Sequence, residues 1–184
     1  APDSPDAFEE LIWKDHLAGY SEREYLGIVS HRFRSARLED QLSRAMKKIL
    51  FVRGEKSRYL AKGNYNVLRL KYIAQMFPDA KFVICFRNPL QQCRSLERVH
   101  RRFKQFSDHS KYFDKELRAM GHFEFGNSRK PIKINQSEFE DTINYWDLGD
   151  DYSGYLSQWI SVYGTVLNDY LVGGQYRENI FLLH

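Results

Sequence analysis

The sequence predicts an α/β fold in which helices flank a parallel sheet, and three observations carry that expectation. Residues 81–86 read KFVICF, an unbroken run rich in β-formers, as expected of a strand covered on both faces. Segments with apolar residues three and four apart stand before and after it, the mark of amphipathic helices. Strand and helix then alternate through the middle of the chain, which implies a right-handed βαβ unit and parallel strands.

The elements follow in order. Phe8, Leu11, Ile12 and Trp13 group at helix spacing. Ser21, with Glu24 three residues on, has the form of a capping box and predicts a second helix. Leu38, Leu42, Ala45, Met46 and Ile49 predict another over 35–50, followed by a basic turn at 53–56. Residues 58–61, Arg-Tyr-Leu-Ala, predict a short buried strand running into the turn Lys62-Gly63-Asn64. Leu68, Tyr72, Ile73 and Met76 mark the next helix, closed by Phe77-Pro78-Asp79.

The 81–86 strand ends at Arg87-Asn88-Pro89. Pro89 suits a first helical turn, where its missing N–H has no partner to lose. The helix it opens is expected to turn Leu90, Cys93, Leu96, Val99, Phe103 and Phe106 inward. Residues 111–154 are polar and become acidic from Glu138 to Asp151, which predicts loop and short helix. Tyr155, Trp159, Tyr163, Val166 and Tyr170 mark a long helix stopped by Gly173-Gly174, and residues 180–184 predict a last buried strand. An end on a strand predicts a piece of a longer protein.

At 184 residues the chain predicts one domain, 1–184. Hydrophobic residues are 42% and charged residues 28%, a globular balance that excludes a disordered or fibrous class. No apolar run is long enough for a membrane span. The acidic start APDSPDAFEE lacks the pattern of a secretory leader, and the expected compartment is the cytoplasm. Cys85 and Cys93, eight apart, and six His without an HxxxH or HExxH pattern predict neither a disulfide framework nor a metal. The net charge of +4 points only weakly to anionic ligands.

Ligands of open α/β sheets sit outside the carboxyl ends of the strands. Two such ends carry unusual polar content, Lys62 to Asn66 and Arg87 to Ser95. A guanidinium fork, a helix N-terminus and a hydroxyl together suit a phosphate. Spacing alone leaves the alternative that Arg87 pairs with a carboxylate and Ser95 is an ordinary helix residue.

The stretch RYLAKGNYNVLRLKYIAQMFPDAKFVICFRNPLQQCRSL resembles the sulfotransferases that use 3′-phosphoadenosine 5′-phosphosulfate (PAPS). The parts that carry the resemblance come in order: a strand ending in a Lys-containing turn, a helix, FPDAKF, a strand, R-N-P, and a Ser eight after the Arg. The resemblance implies a P-loop-NTPase-like sulfotransferase fold and transfer of a sulfuryl group to the hydroxyl or amine of a small-molecule or glycan acceptor. It implies that Arg87 and Ser95 bind the 3′-phosphate of PAPS. Lys62 would stabilise charge on the 5′ side, at the sulfuryl group or its bridging oxygen, with Asn64 and Asn66 helping to position ligands. No metal and no nucleic acid are implied.

The sequence also departs from the family. Tyr65 stands where cytosolic members place a catalytic His, and neither Glu97 nor His100 is singled out as a substitute base. Residues 1–56 hold nothing like the family's 5′-phosphosulfate loop, and the Gly-rich segment expected after residue 180 is absent. The chain is therefore expected to be incomplete at both ends. A non-catalytic nucleotide- or anion-binding module is the alternative, and a basic helix flank (Arg94, Arg98, Arg101, Arg102, Lys104) binding nucleic acid or glycan is a third reading. Asn135-Gln136-Ser137 is a glycosylation sequon of the kind that arises by chance. There is no G-x-S-x-G elbow and no G-x-x-x-x-G-K-[ST] loop, so hydrolase and P-loop kinase readings have no support.

Overall fold

A computed structural model describes residues 5–20, 22–54, 57–172, 174 and 176–184. Ser21, Gly173, and the side chains of Phe8 and Tyr170 lie outside the described residues. The order is α1 (Pro5–His16), β1 (Leu26–Gly27), α2 (Ala36–Arg53), α3 (Leu70–Met76), β2 (Phe82–Cys85), α4 (Pro89–His109), α5 (Lys111–Ala119), β3 (Ile132–Lys133), α6 (Gln136–Asp147), α7 (Asp151–Thr165) and β4 (Ile180–Leu183). Both strand pairs are parallel, β1 with β3 and β2 with β4. The α/β class and the parallel pairing are as expected, but helices dominate.

Three core clusters hold the elements together. Trp13 and Ile12 of α1 meet Leu38 and Leu42 of α2 and Tyr72 of α3. Leu26, Tyr65, Leu68 and Phe123 form a second cluster, and Leu70, Val166 and Ile180 a third beneath the β2–β4 pair. A buried ion pair fastens α1 to the start of α3. Both guanidinium nitrogens of Arg69 bond Glu10, at 2.8 and 2.6 Å, and the Tyr20 hydroxyl donates to the same carboxylate. The Arg69 fork also lies 4.6 Å from the Trp13 ring centre.

Several expectations need correction. No helix opens after Ser21; residues 22–25 turn directly into β1. Residues 58–61 are not a strand. Residues 57–64 alternate half-buried and exposed with the period of a strand, yet no described strand pairs with them. The predicted βαβ partner of β2 is therefore replaced by β4. Neither β2 nor β4 is covered on both faces. Val83, Phe181, Leu182 and Leu183 are about half exposed. The 111–154 stretch is more helical than expected, with α5 and α6 in it. On α4, Leu90 and Phe106 face solvent, and the buried stripe is Cys93, His100 and Ser107, seven apart. The long final helix is present as α7 and passes into π-helical turns at Val166–Val172.

Candidate anion site and the Lys62 turn

Arg87 leaves β2 at its carboxyl end, and α4 begins two residues later. Asn88 caps that helix, its Oδ1 accepting the Gln91 N–H at 3.2 Å, with Pro89 in the first turn as expected. Helical spacing then puts Gln91, Arg94, Ser95 and Arg98 on the side that Arg87 occupies. Together with Glu97 they line a groove of about 470 Å³. The structure thus brings Arg87 and Ser95 into one site.

The groove is cationic and uncompensated. Arg87, Arg94 and Arg98 are exposed, and among the described residues none has an ion-pair partner. Arg94 lies 5.1 Å from the Tyr152 ring centre, a contact that leaves its N–H fork available. The one carboxylate in the lining, Glu97, is held by Arg101 at 2.6 Å. Three forks therefore face one groove, and among the described residues no carboxylate pairs with any of them.

Lys62 is not part of that lining. It sits in the exposed turn that ends the extended segment. The turn is tight: the Asn66 N–H donates to the Gly63 carbonyl at 3.2 Å, and a Cβ on Gly63 would fall 2.7 Å from the Asn66 amide. Asn64 Nδ2 donates to Glu124 Oε1 at 2.8 Å. Tyr65, where the resemblance to cytosolic sulfotransferases would put a His, is a core residue. Its hydroxyl accepts the Phe123 N–H at 2.9 Å and donates to Glu124, and burial pushes its proton affinity well above the ordinary phenol range.

Two buried ionisable groups were not assigned a role from the sequence. Burial alone would raise the Glu124 carboxyl, but hydrogen bonds from His122, Asn64 and Tyr65 outweigh it and hold the group below the usual carboxylate range. The only sequence signal for this seat is the pair of glycines flanking it, Gly121 and Gly126, both at positive φ (76° and 69°). His100 is turned into the protein, 3.7 Å from Asp151 and edge-on to Tyr155. Burial, reinforced by Arg129, pushes its imidazole down to about 4, and its Nδ1 has no partner among the described residues. That setting suits a neutral structural imidazole.

A model of the sulfotransferase family matches residues 10–143, and the chain belongs to that family. The matched stretch contains the Lys62 turn, Arg87 and Ser95, and its family-level activity is transfer of a sulfo group. Comparison with curated proteins and with solved structures returns no match. Among the described residues no helix is long and apolar enough to cross a membrane.

Proposed function

We propose that the chain is the 3′-phosphate-binding part of a PAPS-dependent sulfotransferase acting on a hydroxyl or amine of a small molecule or glycan. The observation that carries this reading is the α4 groove, where Arg87 and Ser95 meet among uncompensated guanidinium groups. The fit is chemical: a phosphate dianion needs a bidentate donor and a hydroxyl, and both are offered beside the first turn of a capped helix. PAPS supplies the sulfuryl group and leaves as adenosine 3′,5′-bisphosphate. Arg87 would hold the 3′-phosphate through its fork, Ser95 through its hydroxyl. Lys62 would lend positive charge on the 5′ side, where charge builds as the sulfuryl group transfers.

A second reading, a binding module without catalysis, is favoured by one observation. The residue at the family's base position, Tyr65, is buried with its hydroxyl engaged. Calorimetry with adenosine 3′,5′-bisphosphate against 5′-AMP tests the site that both readings share. The bisphosphate is expected to bind better, and Arg87→Ala to erase the difference. Equal binding of the two nucleotides would remove the 3′-phosphate site and the PAPS reading with it. Release of bisphosphate from PAPS by the full protein then separates enzyme from binding module.

A further inference from the structure

The Lys62 turn is held from outside the motif that contains it. Glu124 lies on a loop about sixty residues further along, and its side chain is mostly buried, 19% exposed. Two consecutive residues of the turn donate to this one carboxylate, Asn64 through its amide at 2.8 Å and Tyr65 through its hydroxyl. His122 Nδ1 stands 3.6 Å from the other oxygen.

The seat of the carboxylate is held from several sides. Phe123, beside it, is fully buried and returns a bond to the turn, its N–H reaching the Tyr65 hydroxyl at 2.9 Å. Tyr155 of α7 donates to the Glu124 carbonyl at 2.9 Å. At the two ends of the loop, a Cβ on Gly121 would fall 2.8 Å from Glu10 Cγ, and one on Gly126 would fall 2.8 Å from Ser107 Oγ. Both glycines also have positive φ, so the loop enters and leaves by conformations other residues rarely adopt.

A general base needs a free lone pair and a proton affinity near the working pH. Glu124 fails the second requirement: hydrogen bonds from His122, Asn64 and Tyr65 hold it ionised, below the usual carboxylate range. Its geometry suits a different task. We infer that Glu124 is a positioning residue which, by accepting from Asn64 and Tyr65, fixes the turn that presents Lys62 to the 5′ side of the bound nucleotide. The inference rests on the reading of Lys62 given above.

The test separates the two sides of the nucleotide in the full protein. The ratio of affinities for adenosine 3′,5′-bisphosphate and 3′-AMP reports the 5′ side alone. Lys62→Ala is expected to lower that ratio about ten- to hundredfold, the worth of a charged hydrogen bond. Asn64→Ala and Glu124→Gln should each lower it about two- to tenfold, with 3′-AMP binding left within about twofold. The double variant should lose no more than the worse single one, because the Asn64 bond is one of those that Glu124 makes. In ligand-free protein, amide exchange at residues 62–65 should rise in Glu124→Gln while that of α4 stays unchanged. Asn64 is exposed, so its variant answers the question even where Glu124→Gln folds poorly.

Losses that multiply in the double variant overturn the inference. So do Asn64 and Glu124 variants that behave as wild type beside a crippled Lys62→Ala; in that case the Lys62 reading survives. A Lys62→Ala protein with the wild-type ratio overturns the Lys62 reading first, and the role of Glu124 with it.

Discussion

The α4 groove and a second groove between α1 and α2 are nearly the same size, about 470 and 450 Å³. Both are lined by three basic side chains. They differ in what meets that charge. In the α1–α2 groove Arg44 is tied to Asp40 at 2.8 Å, Asp15 stands nearby, and Leu11, Ile12 and Ala45 supply an apolar floor. In the α4 groove the only carboxylate is already taken by Arg101, and no apolar side chain lines it. A count of basic residues would not tell the two apart. The pairing does, because a guanidinium already bonded to a carboxylate has less to offer a ligand phosphate.

The largest expected effect separates the grooves mechanically. Arg69 and Glu10 are both buried, so removing one leaves the other as an unpaired charge, at a cost of about 3–5 kcal/mol. Arg69→Leu should lower the urea midpoint sharply, and adding Glu10→Gln should recover part of the loss. It should loosen α1, a wall of the second groove, yet leave bisphosphate affinity within about twofold wherever the protein is folded, since Arg69 touches nothing in the α4 groove. A matching loss of affinity would show that the two grooves are not independent.

Next comes the rear face of α4. His100 has a folded value of about 4, below its ordinary 6.5. Between those values the unfolded chain binds a proton that the folded chain does not. Stability therefore falls as pH drops from about 6.5 to about 4, by up to roughly 3 kcal/mol, and this contribution is constant below that. Denaturant melts at pH 7, 5.5 and 4.5 should show the decline, and His100→Gln should flatten it. An unchanged slope in the variant would move the effect to another group.

The sequence made some of this visible. β2 follows from an unbroken run of β-formers and the start of α4 from Pro89, while Arg87 and Ser95 were legible as a pair only through the family resemblance. What it hid was non-local. The short apolar stretch 58–61 predicts a buried strand, but pairing depends on a partner elsewhere in the chain. The apolar run at 81–86 predicts a doubly covered strand, yet nothing within a run says what lies on it. α6 has a signal that its sequon obscures: Asn135 opens the triplet, and its side chain also accepts the Glu138 N–H at 3.2 Å. A cap residue with Glu three positions on is a helix-start pattern. Glu124 had no such mark beyond its flanking glycines, because the turn residues it holds, Asn64 and Tyr65, lie about sixty residues away.

On ligand binding the two grooves should part clearly. Arg87→Ala is expected to cost about 1.5–3 kcal/mol of bisphosphate binding, roughly ten- to hundredfold. Arg37→Ala, in the other groove, should change it by less than about twofold. Isothermal titration of both variants decides this, and comparable losses would mean that the bisphosphate responds to general positive charge.

The smallest effect sharpens the comparison most, because both grooves are built on a capped helix. Ser35 caps α2 by accepting the Leu38 N–H at 3.2 Å, as Asn88 caps α4 through Gln91. Replacing either by Ala should cost about 1 kcal/mol of stability, through the same lost bond. Their effects on the ligand should differ. Asn88 sits between Arg87 and the helix, so releasing the cap frays the first turn and lets Arg87 drift from Ser95. Asn88→Ala is thus expected to weaken bisphosphate binding severalfold, and Ser35→Ala to leave it unchanged at equal stability. If both variants melt alike and bind alike, the cap of α4 serves only the helix, and the alignment of Arg87 with Ser95 must come from β2.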